Sequence, residues 1–228
     1  MKKHASHSKS IRAVFVIGAV ASLLSVSSAW ALVFSSDTVT VASVNGAAGS
    51  VVDVPVYIRD ASGTPLGLDQ PVGSRIQDYS IKVNYSPASA VQSITFTRAG
   101  ITQSLTPTFE TSPTSAGSIA LLDSFQESTN LIPFTLDGAL PGNQVAHLQV
   151  TLSPTAVVGS NITLTLDPTL TELTDDAGDS GTAETTANSR LVLVSGVITV
   201  TPSVPALGHI ALLVLALSLA FIAIRTRF

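Results

Sequence analysis

The 228-residue chain contains no cysteine. That excludes a disulfide scaffold, a thiol nucleophile, an iron–sulfur cluster and any thiolate zinc site. Aromatic residues are 5% and charged residues 11%, with one Trp and one Met. Histidine is scarce too. Of the four, only His147 and His209 lie beyond the first dozen residues. A multi-histidine metal centre in the middle of the chain is therefore ruled out. No stretch of the middle carries a sustained 3.6-residue apolar period, which argues against a helical domain. What is abundant is Val, Thr, Ser, Ala and Gly, a composition that favours β structure.

The long apolar runs are confined to the two ends. Residues 1–31 read as a secretory signal. Lys2, Lys3, Lys9 and Arg12 make a positive start, 13–26 is apolar, and Ala29-Trp30-Ala31 supplies the small-x-small pattern for cleavage after Ala31. Residues 204–228 form a second such segment. Val204-Pro205-Ala206-Leu207-Gly208 precedes the apolar stretch 210–224, and Arg225 and Arg227 follow it. The run matches the roughly 20 residues that cross a bilayer as a helix. Basic residues at its end would stay cytoplasmic, placing the middle of the chain on the other side. The expectation is a signal helix, a domain over 32–203 and a C-terminal transmembrane helix. A plain single-span anchor is the simpler reading of the tail.

The ends also hide the charge of the middle. Four of the 11 Lys and Arg lie in the signal and two in the tail, whereas all 15 Asp and Glu lie between them. The middle therefore carries five positive charges, Arg59, Arg75, Lys82, Arg98 and Arg190, and its formal charge is 5 − 15 = −10. Such a domain repels phosphate backbones, and nucleic acid is excluded as a partner.

Period-two alternation runs through the middle. Val52, Val54, Val56 and Ile58 alternate with Asp53, Pro55 and Tyr57, and Tyr79, Ile81, Val83 and Tyr85 with Ser80, Lys82 and Asn84. Ala146, Leu148, Val150 and Leu152 alternate with His147, Gln149 and Thr151, and Ile162, Leu164 and Leu166 with threonines. Shorter strands are expected over 38–44, 91–97, 118–125 and 191–200. Gly63, Pro65, Gly67, Pro71 and Gly73 make 60–74 a loop excursion, and the acidic stretch 171–189 reads as a second loop. The fold class that follows is all-β, an antiparallel two-sheet sandwich of about nine strands.

Several of these pieces, taken in order, resemble a cohesin domain, the receptor module that binds dockerins in cellulosome-type assemblies. The opening Val39-x-Val41-x-x-Val44-x-Gly46-x-x-Gly49-x-x-Val52-x-Val54-Pro55-Val56 is similar to the family's first two strands. The segment from Tyr79 to Pro87 is similar to its third, with Ser86 where the family has Asp. Gly117-Ser118-Ile119 through Asp123, then Asp137-Gly138, Ala156-x-x-Gly159 and Gly196-Val197-Ile198-Thr199-Val200 follow the family's order. The resemblance implies a jelly-roll with its first and last strands paired, and a dockerin-like protein docking on a flat sheet face. It points to Asp78, Ser80, Lys82 and Asn84 as partner-binding residues, with Ala120 and Leu122, or Ile119 and Leu121, as apolar spots beside them. The C-terminal segment resembles bacterial sorting signals of the PEP-CTERM and IPTL-CTERM type. That implies export, transient anchoring in the inner membrane, and removal of the tail by an exosortase-like enzyme.

Other chemistry is thinly supported. His147 is the one histidine available for a Ser-His-Asp triad, and no motif surrounds it. Glu110, Asp123 and Glu127 have the chemistry of a glycosidase pair, but nothing in the sequence orders them into a cleft. Asp175-Asp176-Ala177-Gly178-Asp179 offers oxygen ligands of the kind Ca²⁺ prefers, without the EF-hand register. No metal site or cofactor is assigned. The reading is a non-enzymatic, surface-associated binding module. The alternatives are a polysaccharide-binding module and a structural surface or matrix protein without a specific ligand.

Overall fold

The structure is a computed structural model, and it describes residues 35–177 and 182–203. The signal assigned to 1–31 and the segment assigned to 204–228 lie outside the described residues. Among the described residues no helix is long and apolar enough to cross a membrane.

Thirteen strands are present among the described residues, rather than nine. One sheet holds β12 (Leu191–Val194), β1 (Asp37–Val41), β3 (Val51–Arg59), β9 (Asn143–Leu152) and β5 (Val91–Arg98), in that order. The other runs β2 (Val44–Ala47), β13 (Gly196–Thr201), β10 (Asn161–Leu166), β4 (Asp78–Ser86), β8 (Ser118–Ser124) and β6 (Phe109–Thr111). Onto it are added β11 (Glu172–Thr174), against β4, and β7 (Thr114–Ser115), against β8.

The long strands fall where alternation placed them, and the alternation is what buries them. In β3, Val52, Val54, Val56 and Ile58 are buried, and in β9 Ala146, Leu148, Val150 and Leu152 are buried. The facing sheet contributes Tyr79, Ile81, Val83, Ile119, Leu121, Ile162, Leu164 and Ile198 to the same core. Each such side chain removed from water is worth about 1.5–3 kcal/mol. A one-residue slip would turn the whole set outward, so this face pins the register.

The additional strands come from sequences too short or too polar to alternate. The run 38–44 is split between β1 in one sheet and β2 in the other, and 191–200 is split likewise between β12 and β13. β1 pairs with β12 and β2 with β13, both in parallel, so the sandwich is not purely antiparallel. At the second crossing a Cβ on Gly196 would stand 2.3 Å from the Ala42 carbonyl oxygen, so only glycine lets the two crossings pass. The expected loop 171–189 contains β11, and its Leu173 is fully buried. The excursion after β3 lacks strands, as its Gly and Pro content predicts, yet it buries Ala61, Leu66 and Ile76.

One end of the sandwich closes over acidic groups. Asp37, Asp60 and Glu184 have no exposed surface. Asp37 Oδ1 accepts from the Ala61 amide at 2.8 Å and Glu184 Oε1 from the Leu66 amide at 3.0 Å. Their other oxygens, Oδ2 and Oε2, are buried without a hydrogen-bond donor, and the two carboxyls lie close enough to hydrogen-bond to each other once one is protonated. Two carboxylates cannot do so without a proton between them. Burial, and then the Glu184 carboxylate, hold Asp37 far above the ordinary range, so Asp37 keeps the proton.

The unfolded chain loses that proton near pH 4, the folded one only at far higher pH. Stability from this pair is therefore fully present below pH 4 and declines as pH rises above it. An amide at position 37 donates permanently to Glu184. Asp37→Asn should accordingly flatten the fall of Tm between pH 5 and 9, followed by circular dichroism. Parallel curves for the two proteins would show that no proton is shared.

Candidate functional site

The outer face of the larger sheet is built around the β4–β8 pair. Because Tyr79, Ile81 and Val83 point inward, Asp78, Ser80, Lys82 and Asn84 point outward. Register then sets Ser124, Leu122, Ala120 and Ser118 of β8 opposite them, in that order. Ile119 and Leu121 enter the core, so the apolar outward residues of this strand are Ala120 and Leu122.

The four partner residues expected from the resemblance share this face and are half-buried. Each has a partner within the chain. Ser80 Oγ donates to the Leu170 carbonyl at 2.9 Å, and Asp78 Oδ1 accepts from the Phe125 amide at 3.2 Å. Lys82 Nζ stands 3.7 Å from Asp167 Oδ2, the oxygen that also accepts from Asn84 Nδ2 at 3.4 Å. The Thr169 hydroxyl and amide, with Asn84 and Lys82, hold Asp167 below the usual carboxylate range. Burial at the start of β4 pushes Asp78 up. The 167–171 turn thus forms one wall of the face.

Between that wall and the opposite one, made by β6 and β7, runs a groove floored by Ala120 and Leu122. Its deeper part, about 280 Å³, is bounded by Ser80, Lys82, Pro113 and Leu170. A shallower part, about 170 Å³, continues past Ser80 and Leu122 to Phe109 and Glu172. Phe109 is 55% and Leu170 49% exposed. The groove is an apolar strip edged by hydroxyls, one lysine and carboxylates. That pattern suits a protein partner, with an apolar centre and a polar rim.

Phe109 and Leu170 were not among the residues singled out in the sequence. Neither sits in an alternating run. Phe109 is in a three-residue strand among threonines and prolines, and Leu170 is in a turn. An isolated apolar residue next to Pro or Thr is the one signal they carry.

A polar clasp lies beneath the shallow part. Arg98, at the end of β5, crosses to the other sheet, where its Nε donates to Glu110 Oε2 of β6 at 2.7 Å. A second guanidinium nitrogen donates to the carbonyls of Thr102 and Leu105, both at 2.8 Å, and the group lies 5.9 Å from the Phe125 ring centre. Asp123, cross-strand from Glu110, turns inward beside Tyr79. Burial pushes Asp123 up to about 6, Tyr79 and Arg98 pulling the other way. Glu127 is elsewhere, 3.2 Å from Arg75 and accepting from the Gly73 amide. Glu110 and Asp123 therefore belong with Arg98 to a link between the sheets, and Glu127 does not join them.

His147 lies on the outer face of the smaller sheet, 3.7 Å from Asp53, and among the described residues no hydroxyl bonds to it. In the acidic loop, Asp175 accepts from the Ala177 amide and the Thr182 hydroxyl, and Asp176 from the Glu127 amide. Gly178 and Asp179 lie outside the described residues. Among the described residues no three His, Asp or Glu side chains gather as a metal cluster.

The described residues thus form a two-sheet β-sandwich whose larger sheet carries an open groove with an apolar floor. No protein-family model matches the chain, and no curated relative matches it either. Solved structures do match. The third ScaC cohesin of Acetivibrio cellulolyticus, solved in complex with the ScaB dockerin, is 19% identical with a TM-score of 0.52. That match covers 72% of this chain and 99% of the cohesin. CaCohA2 in its complex with CaDoc0917 is 22% identical, TM-score 0.52, over 73% of this chain and all of that one. The solution structure of CaCohA2 from Clostridium acetobutylicum is 20% identical, TM-score 0.50, over 75% and 94%. The chain has the cohesin fold.

Because Ser80 and Lys82 are held only by exposed or half-exposed partners, Ser80→Ala and Lys82→Met should each change stability by less than about 1 kcal/mol. Urea denaturation checks this. A larger loss would make them structural residues rather than surface available to a partner.

Proposed function

We propose that this chain is a cohesin-type receptor module that binds a dockerin-like protein on the outer face of the larger sheet. The observation that carries the reading is the groove itself. Ala120 and Leu122 supply its floor, Phe109 and Leu170 its exposed apolar edges, and Ser80, Lys82 and Glu172 its polar rim. The solved cohesin–dockerin complexes of the same fold support the class of partner. The strands under the groove floor, β4 and β8, are paired on both sides, so the floor is preorganised and little ordering of it is needed on binding.

The test is surface plasmon resonance of the purified chain against a panel of dockerin modules. At least one should bind saturably at micromolar Kd or tighter. Leu122→Lys puts a charge on the groove floor and should weaken binding at least 100-fold with Tm unchanged, as for a central interface residue. Asp53→Asn, on the opposite sheet, should leave it intact. Absence of binding across the panel, or indifference to Leu122→Lys, would refute the reading. Retarded migration in polysaccharide affinity gels in that case would favour the carbohydrate-binding alternative.

The module works, in this reading, outside the cytoplasm. The signal pattern ending at Ala29 and Ala31 directs export, and the segment starting at Val204, Pro205, Ala206, Leu207 and Gly208 holds the chain in the inner membrane until an exosortase-like enzyme releases it. Mass spectrometry of the mature protein should find a new N-terminus at Leu32 and no Arg225–Phe228 peptide. Retention of Met1 would overturn the export reading, and an intact tail would leave a permanent single-span anchor.

A further inference from the structure

The shared proton answers for Asp37 and Glu184, but the third buried carboxylate at that end of the sandwich has no such remedy. Asp60, the residue after β3, has no exposed surface. Its Oδ2 accepts from the Leu68 amide at 3.0 Å, while its Oδ1 is buried with no hydrogen-bond partner. That oxygen is aimed at Gly67. A Cβ built there would stand 2.5 Å from Asp60 Oδ1 and 3.1 Å from Asp69 Oδ1. Two carboxylate oxygens therefore converge on a space kept open by the absence of a side chain. Asp69 is exposed, and its Oδ2 is engaged by the Gly63 amide at 2.9 Å, which turns Oδ1 toward that space.

The charge around it is unbalanced. Asp137 lies close enough to act on Asp60, as Asp69 does, and both disfavour its ionisation beyond what burial does. The nearby cation is Arg59, whose guanidinium donates to the Gly138 carbonyl at 2.8 Å and stands 3.6 Å from Asp137. Asp60 thus feels two other carboxylates and one guanidinium, which is already engaged. A buried oxygen without a donor, beside a second carboxylate oxygen, is the arrangement a hard cation resolves.

We propose that the loop after β3 binds a divalent cation, calcium by its all-oxygen donor set, between Asp60 Oδ1 and Asp69 Oδ1 beside Gly67. Ca²⁺ takes its oxygen ligands at about 2.4 Å. With two carboxylates, the remaining positions fall to loop carbonyls and water. Such a site belongs to the weak, extracellular class, with Kd on the order of 0.1–1 mM. Mg²⁺, which demands a tighter octahedron, should bind less well. The cation would tie together a loop that now depends on carboxylate-to-amide hydrogen bonds at Gly63, Leu66 and Leu68.

The full-length chain, stripped with chelator and held in detergent at constant ionic strength, is titrated with CaCl₂ by calorimetry and followed by thermal melts. One saturable site should appear, with Tm rising by about 3–6 °C at 10 mM CaCl₂. Amide hydrogen exchange at 63–68 should slow on addition of calcium. Asp69→Asn, which preserves the bond to the Gly63 amide, should weaken affinity at least tenfold with the calcium-free Tm unchanged. Asp60→Asn should abolish binding. If Asp60→Asn does not fold, Asp69→Asn and the exchange data decide alone. No heat and no Tm shift at 10 mM CaCl₂ would overturn the proposal. So would binding that survives Asp69→Asn but is lost in Asp175→Asn, since that places the ion in the other acidic loop.

Discussion

The antiparallel register of β4 with β8 is the constraint on which the rest of this structure depends. Tyr79 opposite Asp123, Ile81 opposite Leu121 and Val83 opposite Ile119 lock the inner phase of both strands against the smaller sheet. Once these pairs are inside, the outward pairs have no freedom. Ser80 stands beside Leu122, Lys82 beside Ala120 and Asn84 beside Ser118. The groove floor is thus a by-product of core packing. Its walls are added by segments that pair only partly with the central strands, β11 and the 167–171 turn on one side and β6 and β7 on the other. A rigid floor with short, locally bonded walls can vary its rim without disturbing the core.

The second organising feature is the unequal treatment of charge. With few cations available, Arg59, Arg75, Lys82 and Arg98 each stand beside one carboxylate. The acids outnumber them, and several are buried. The chain manages this by different means in different places. A proton between two carboxyls serves at Asp37 and Glu184, and an arginine bridging both sheets serves near Asp123. At Asp175 and Asp176 loop amides and a hydroxyl act as donors. Lost desolvation energy makes buried carboxylates expensive unless each finds one of these remedies. At Asp60 only one of the two oxygens accepts a hydrogen bond.

Much of the fold was legible in the sequence, for a definite reason. In β3, β4, β9 and β10, alternate apolar residues persist over six residues or more, and a period-two signal of that length has few other readings. The short strands were not legible because pairing, not pattern, makes them. Phe109–Thr111 has three exposed residues and becomes a strand only because β8 offers it an edge. Leu173 lies in an acidic, Gly-bearing stretch that reads as loop, and its burial depends on pairing with Tyr79 of β4, far away in the chain, and on a bridge to Glu184. The same limit applied to the candidate site. Its strand residues, Asp78, Ser80, Lys82 and Asn84, followed from alternation and family resemblance. Phe109 and Leu170, which give the groove its exposed apolar surface, followed from neither.

By itself the sequence determined that the middle of the chain is a β-sandwich with a strongly acidic surface, and which residues of the long strands point the same way. These are local properties, set by side-chain periodicity and composition. Only the tertiary structure decided which outward face carries a groove, how 38–44 and 191–200 divide between sheets, and which carboxylates meet at the closed end. Those depend on contacts between residues more than a hundred positions apart, such as Asp37 with Glu184, and no local pattern encodes such a meeting.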